Sequence, residues 1–130
     1  MKQFNYCLDT HPLIWYFTGQ DSLSSKAKGI IDNIFAGKIR CYIASIVLLE
    51  AFHLSLKKKN FIFPIFFKKI RLVNILIVPL DKIVLQKCFE ISPNLDFHDR
   101  IIAATAIVNN SVLITKDEIL KKYNKVETIW

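Results

Sequence analysis

Glycine is scarce in this chain, at three residues of 130. That excludes a glycine-rich phosphate loop, which needs several closely spaced glycines to bring backbone amides against a phosphate. Cysteine is equally scarce. Cys7, Cys41 and Cys88 stand singly inside apolar runs, a spacing that suits buried thiols rather than disulfides or a zinc site. Long hydrophobic runs are missing as well. Phe61–Phe67 and Leu72–Leu80 are broken by proline or asparagine and fall far short of the roughly 20 residues that a membrane span requires. Met1–Tyr6 carries Lys2, Gln3 and Asn5, where a secretory signal would have an apolar segment. A cytoplasmic location with no membrane partner is therefore expected. Repeats and low-complexity tracts are absent too.

Acidic residues are a minority: 11 against 18 lysines and arginines, for a net charge of +7. With a pI near 9.4, the balance points to an anionic partner such as nucleic acid. The hydrophobic share of 52% is enough for one continuous core, so residues 1–130 read as a single domain.

Apolar runs of two kinds alternate along the chain. Phe4–Leu8, Cys41–Ala44, Ile75–Val78, Val112–Thr115 and Val126–Ile129 are short and rich in β-branched and aromatic residues, as strands are. Between them lie runs with helical spacing. One starts at Pro12 and stops at Gly19. A second starts at Ser24 or Ser25, carries Ile30, Ile31, Ile34 and Phe35, and ends at Gly37. A third, Ile46–Leu56, is expected to be capped by Ser45 and closed by Lys57, Lys58, Lys59 and a left-handed Asn60. Helices are also expected over Phe61–Ile70, with Pro64 in the first turn, and from Asp81 to about Ile91. Strand–helix alternation predicts a three-layer α/β/α fold around a mainly parallel sheet of four or five strands.

The most informative stretch is Leu95–Ala106, LDFHDRIIAATA. Asp96 is a good N-cap for a helix that is apolar nearly all round and therefore buried. Asp99 then falls in the first turn of that helix. It is either a second cap or a carboxylate with other business. Three more acids sit in similarly apolar company. Asp9 and Asp117 directly follow predicted strands, and Glu50 interrupts the third helix. In parallel α/β folds the ligand crevice lies beyond the carboxyl ends of the strands, where strand order reverses. Four carboxylates about 5 Å apart at an effective dielectric near 20 repel by roughly 3 kcal/mol per pair, and in all by on the order of 20 kcal/mol. A hard divalent cation relieves that repulsion, and oxygen-only ligands favour Mg²⁺ or Mn²⁺. Such a centre suits phosphodiester hydrolysis. His11, His53 and His98 read as solvated or flanking groups, since a metal-activated water needs no separate base.

Four ordered segments, Leu8–Asp9–Thr10–His11 with Leu13–Ile14–Trp15, Leu49–Glu50–Ala51, Asp96–Ala106 and Leu113–Glu118, resemble the successive motifs of PIN-domain proteins, and more narrowly of VapC-type toxins from toxin–antitoxin pairs. The resemblance implies a metal-dependent endoribonuclease that is homodimeric and neutralised by a cognate antitoxin. By match, Asp9, Glu50, Asp99 and Asp117 take the catalytic, metal-site positions, with Asp96 as an acidic neighbour and Thr10 and Thr115 as polar residues that orient the carboxylates. Asn60 departs from the pattern, standing where a glycine is usual. Lys57, Lys58, Lys59, Lys68, Lys69 and Arg71 are expected to steer the RNA backbone. Phe61, Phe63, Phe66 and Phe67 are expected to leave some aromatic surface exposed for a dimer or antitoxin contact. Two other classes fit less well. A phosphoacceptor receiver shares the sheet but has no use for Glu50 or Asp99, and a haloacid-dehalogenase-like phosphatase wants an aspartate where His11 stands. A catalytically silent RNA-binding or interaction domain is the remaining alternative.

Overall fold

A computed structural model describes residues 4–130. The polar character of Met1–Gln3 lies outside the described residues. Five parallel strands form one sheet: β1 (Asn5–Leu8), β2 (Cys41–Ala44), β3 (Ile75–Val78), β4 (Ser111–Ile114) and β5 (Thr128–Ile129). Their order is β3-β2-β1-β4-β5. The chain steps outward from β1 to β3 and then returns over the sheet to β4. Strand order therefore reverses between β1 and β4, and the carboxyl ends of those two strands flank the crevice. The helices are α1 (Thr10–Thr18), α2 (Ser25–Phe35), α3 (Ser45–Ser55), α4 (Phe63–Arg71), α5 (Lys82–Glu90), α6 (Phe97–Val108) and α7 (Glu118–Lys122). They cover both faces of the sheet in a three-layer α/β/α arrangement.

The core follows from the apolar runs. Every residue of β4 is buried, as are Cys7, Leu8, Cys41, Ile43 and Ala44 at the centre of the sheet. Helix α6 packs across β1, β2 and β4, and its Ile101–Ala106 segment is buried throughout, as its small and branched residues predict. The three cysteines are buried free thiols. Among the described residues no helix is long and apolar enough to cross a membrane.

Local chemistry sets most of the boundaries. Ser24 Oγ accepts from the Ala27 N–H at 3.0 Å, and Asp81 Oδ1 accepts from the Val84 N–H at 3.0 Å. Gly19, with φ of 67°, closes α1 in the left-handed conformation that glycine adopts without strain. Three boundary expectations are corrected. Ser45 does not cap α3; it is the first helical residue, Ala44 holds the cap position, and no side chain caps the end. The strand hands over to the helix directly. Nor is Asn60 left-handed: among the described non-glycine residues only Asn110 has positive φ, at 48°. The tight α6–β4 connection needs the reversal, whereas three lysines and Asn60 give α3 room to unwind. Helix α4 also starts two residues later than expected, at Phe63, because Pro64 takes its N-terminal turn.

The aromatic cluster after α3 keeps part of its surface exposed, as expected, but less than its four rings could offer. Phe61 and Phe66 are buried and Phe63 and Phe67 half-buried. The rings consume one another's surface: Phe61 and Phe63 lie 5.0 and 5.6 Å from Phe66, and Phe63 stacks on Phe67 at 5.7 Å. In this α3–α4 region the most exposed large apolar side chains include Leu49, Phe52, Leu56, Ile62 and Ile65.

Asn110 provides a test of the chain reversal. Asn110→Gly should leave stability unchanged or slightly raised, while Asn110→Val should lose about 1–2 kcal/mol, the cost of placing a β-branched residue in the left-handed region. Urea unfolding of the two variants measures this; equal stabilities would show that the connection relaxes to negative φ.

Candidate active site

Asp9, Glu50, Asp96, Asp99 and Asp117 line one cavity of about 430 Å³. It lies at the carboxyl ends of β1 and β4, where Asp9 follows β1 and Asp117 is reached through Thr115 and Lys116 after β4. Glu50 enters from α3 and Asp99 from the first turn of α6. His11, Trp15, His98 and Lys116 complete the polar and aromatic rim, over a floor that includes Pro12 and Ile102.

Three of the five acids have structural hydrogen bonds and two do not. Asp9, only 8% exposed, uses both oxygens: Oδ1 accepts from the Thr10 N–H at 2.8 Å and Oδ2 from the Thr115 hydroxyl at 2.7 Å. The same Thr115 hydroxyl accepts from the Asp117 N–H at 3.0 Å. One side chain therefore ties the β1 and β4 loops together. Asp117 Oδ1 caps α7 through the Ile119 and Leu120 amides, at 2.9 and 3.0 Å. Asp96 Oδ1 caps α6 through the Asp99 N–H at 2.9 Å. The cap at this end is thus Asp96, and among the described residues neither Asp99 nor Glu50 has a side-chain hydrogen bond. Thr10 meets Asp9 through its backbone, and its buried hydroxyl has no hydrogen-bond partner.

Charge crowding shows in the protonation equilibria. Burial raises the Asp9 carboxyl above its ordinary range; the Thr115 and Thr10 bonds pull it back, and Asp117 pushes it up again. Asp99 is pushed up to about 7, first by burial and then by Asp117, Asp96 and Asp9, with His98 opposing. Carboxylates that must give up charge in this way are matched to a cation, and their all-oxygen donor set fits a hard divalent ion. Among the described residues no group of three acids, histidines or cysteines is arranged to hold a metal ion as the side chains stand. The donor chemistry fits Mg²⁺ or Mn²⁺, and Asp99 and Glu50 are the two lining carboxylates without a side-chain hydrogen bond among the described residues.

A sequence profile of the PIN domain matches residues 6–126. The chain belongs to the PIN domain family. PIN domains are nuclease domains, which assigns this fold to hydrolysis of nucleic acid. Solved structures with the same fold include VapBC2 from Rickettsia felis bound to a DNA fragment from its promoter, at 18% identity and a TM-score of 0.72, covering 97% of this chain and 98% of that one. DNA-bound VapBC from Salmonella typhimurium matches at 14% identity and a TM-score of 0.71, over 98% of each chain. A toxin–antitoxin complex from Klebsiella pneumoniae matches at 20% identity and 0.67, over 96% of each. At these identities the likeness is one of fold. No curated protein sequence matches the chain.

The basic residues picked out from the sequence stand elsewhere in this PIN domain. Lys57, Lys58, Lys59, Lys68, Lys69 and Arg71 are exposed, form no ion pair among the described residues, and do not line the cavity. The last turn of α4 leads into the amino end of β3, which puts Lys68, Lys69 and Arg71 toward the far pole of the sheet.

Sequence reasoning missed Arg100. Its guanidinium donates to four backbone carbonyls, those of Cys88 (3.1 Å), Ile91 (2.7 Å), Ser92 (2.9 Å) and Leu95 (3.1 Å). It pins the α5–α6 connection and so fixes where Asp99 enters the cavity. Nothing local signals that role; its partners are 5 to 12 residues upstream.

The raised Asp99 carboxyl gives a signed pH dependence. With a folded-state value of about 7 against about 4 when unfolded, the folded protein binds more protons between those limits. Its stability therefore falls as pH rises through that window. In the absence of metal, Asp99→Asn should melt above wild type at pH 8, and the gap should close toward pH 4. Thermal melts across this range test it; a gap independent of pH would mean that Asp99 is not electrostatically strained.

Proposed function

We propose that this PIN domain is a VapC-type toxin, an Mg²⁺- or Mn²⁺-dependent endoribonuclease that hydrolyses RNA phosphodiester bonds. The observation that carries the reading is the convergence of Asp9, Glu50, Asp99 and Asp117 on one cavity, with two of the four carboxylates free of structural bonds. When bound, the divalent ion would orient and acidify a water and neutralise charge on the scissile phosphate. The chain's own part is to hold the donors. Thr115 fixes Asp9 and orients the Asp117 loop, Asp96 and Arg100 set the first turn of α6, and Asp99 and Glu50 supply mobile carboxylates.

RNA as substrate is supported by the net charge of +7 together with the nuclease family. The exposed lysines and arginine of the α3–α4 region act at long range, drawing RNA to the protein surface by counterion release. An antitoxin partner is supported by the toxin–antitoxin complexes among the structural relatives. The exposed Leu49, Phe52 and Leu56 recur on one side of α3 and continue, through the Phe52–Phe63 contact at 5.3 Å, to Ile62 and Ile65. A band of that kind is a docking surface for a protein partner, the antitoxin or a second copy in a homodimer. Such a function places the protein in the cytoplasm, with its RNA.

Asp9→Asn and Asp99→Asn should lower single-turnover RNA cleavage by about two orders of magnitude or more while the variants stay folded. EDTA should abolish wild-type cleavage, and Mg²⁺ or Mn²⁺ should restore it. Cleavage that survives EDTA, or Asn variants with wild-type activity, would contradict the proposal.

A further inference from the structure

The acidic cavity has a wall that its carboxylates do not explain. Trp15 lines it, half-buried, with Trp130 edge-on at 6.0 Å and 69° and the His11 ring at 5.6 Å. The ammonium of Lys116 lies 5.8 Å from the centroid of the Trp15 ring. Chain order places this group. Trp15 is on the helix that begins beside Asp9, and Lys116 immediately precedes Asp117.

Lys116 is the unusual member. It shares a cavity with five acids, yet among the described residues it pairs with none of them and rests over an indole. A cation–π contact at an exposed site is weak, so the ammonium is free to move to a stronger anion. An aromatic face beside a mobile cation is the arrangement by which proteins bind single-stranded nucleic acid: bases stack on the ring and phosphates take the charge. Leu13 and Ile14, the neighbours of Trp15, are buried at 0% and 1% exposure and already anchor α1 to the core. Anchoring α1 therefore does not need the half-buried Trp15 ring, which keeps accessible surface on the cavity wall.

We infer that Trp15 and Lys116 form a nucleotide subsite on the rim of the cleavage centre. The base flanking the scissile phosphate stacks on Trp15, and the next phosphate draws Lys116 off the ring. The ligand class is single-stranded RNA, read with little base preference, because every base offers a π-face. The subsite rests on the reading of the acidic cavity as an RNA-cleaving centre.

Both tryptophans of the chain, Trp15 and Trp130, belong to this cluster, so intrinsic fluorescence reports on it. In Asp99→Asn protein without metal, with Trp130→Phe added so that Trp15 alone emits, an end-labelled RNA tetranucleotide is titrated while its anisotropy reports binding. Binding should quench Trp15, and an abasic ribose-phosphate oligomer of the same length should not. Lys116→Gln should weaken RNA binding about fivefold or more, and in the active protein Trp15→Phe and Lys116→Gln should raise KM while leaving kcat within about twofold. Trp15 emission unchanged at saturation, or equal quenching by the abasic oligomer, would overturn the subsite. If wild type cuts RNA but bound RNA leaves Trp15 unquenched, the subsite alone fails. Quenching by RNA in a protein that never cuts RNA supports the subsite and overturns the cleavage reading.

Discussion

Crowding five carboxylates around one cavity is a constraint that the rest of the structure has to accommodate. Asp9 lies below the surface at the end of β1, and Asp99 is partly buried opposite it, close enough to the other acids for its carboxyl to be held up to about 7. The fold manages this partly by using the acids. Asp9, Asp96 and Asp117 each accept amide hydrogens at a helix start, where the unpaired N–H groups favour negative charge. The Thr115 hydroxyl then joins Asp9 to the Asp117 loop with two bonds. The strain that remains falls on Asp99, whose carboxyl is raised first by burial and then by Asp117, Asp96 and Asp9; an all-oxygen donor set of this kind fits a hard cation.

Rigidity is distributed accordingly. Buried residues of β1, β4 and α6 make up the floor, and the Arg100 clamp holds the loop that leads into α6. Against this frame the Asp99 and Glu50 carboxylates carry no side-chain hydrogen bond among the described residues. Held donors beside unbonded ones suit a hard cation, because the frame sets position while the unbonded groups are available to complete the shell. Trp15 and Lys116 stand on the rim of the same cavity, an aromatic face and a cation beside the carboxylates.

The fold was legible in the sequence wherever a boundary is made locally. Asp81, Asp96 and Ser24 cap the helices they precede, and β2 and β3 run over the residues their composition predicts. Legibility failed where the deciding contact is distant. Ser45 has capping chemistry, but β2 delivers the chain to α3 with Ala44 already at the cap. Asn60 and Asn110 carry the same propensity for the left-handed region, and only the connection into β4 demands it. The phenylalanines after α3 look like surplus apolar surface until their mutual stacking is seen. The convergence of Asp9, Glu50, Asp99 and Asp117 on one cavity was readable, because a carboxylate in an apolar context is expensive anywhere. Arg100 and Lys116 were not, because an arginine beside an aspartate and a lysine after a strand have ordinary surface explanations.

The central claim is that the cavity is electrostatically incomplete without a divalent cation. Its most direct test is the melting temperature as Mn²⁺ is added to metal-free protein at pH 8, in wild type and in Asp99→Asn. Ligand that binds only the folded state stabilises it by mass action. Wild type should therefore gain stability with a saturable dependence on Mn²⁺, and the variant, with its repulsion already relieved, should gain much less. Identical curves for the two proteins, or no response in wild type, would contradict the account.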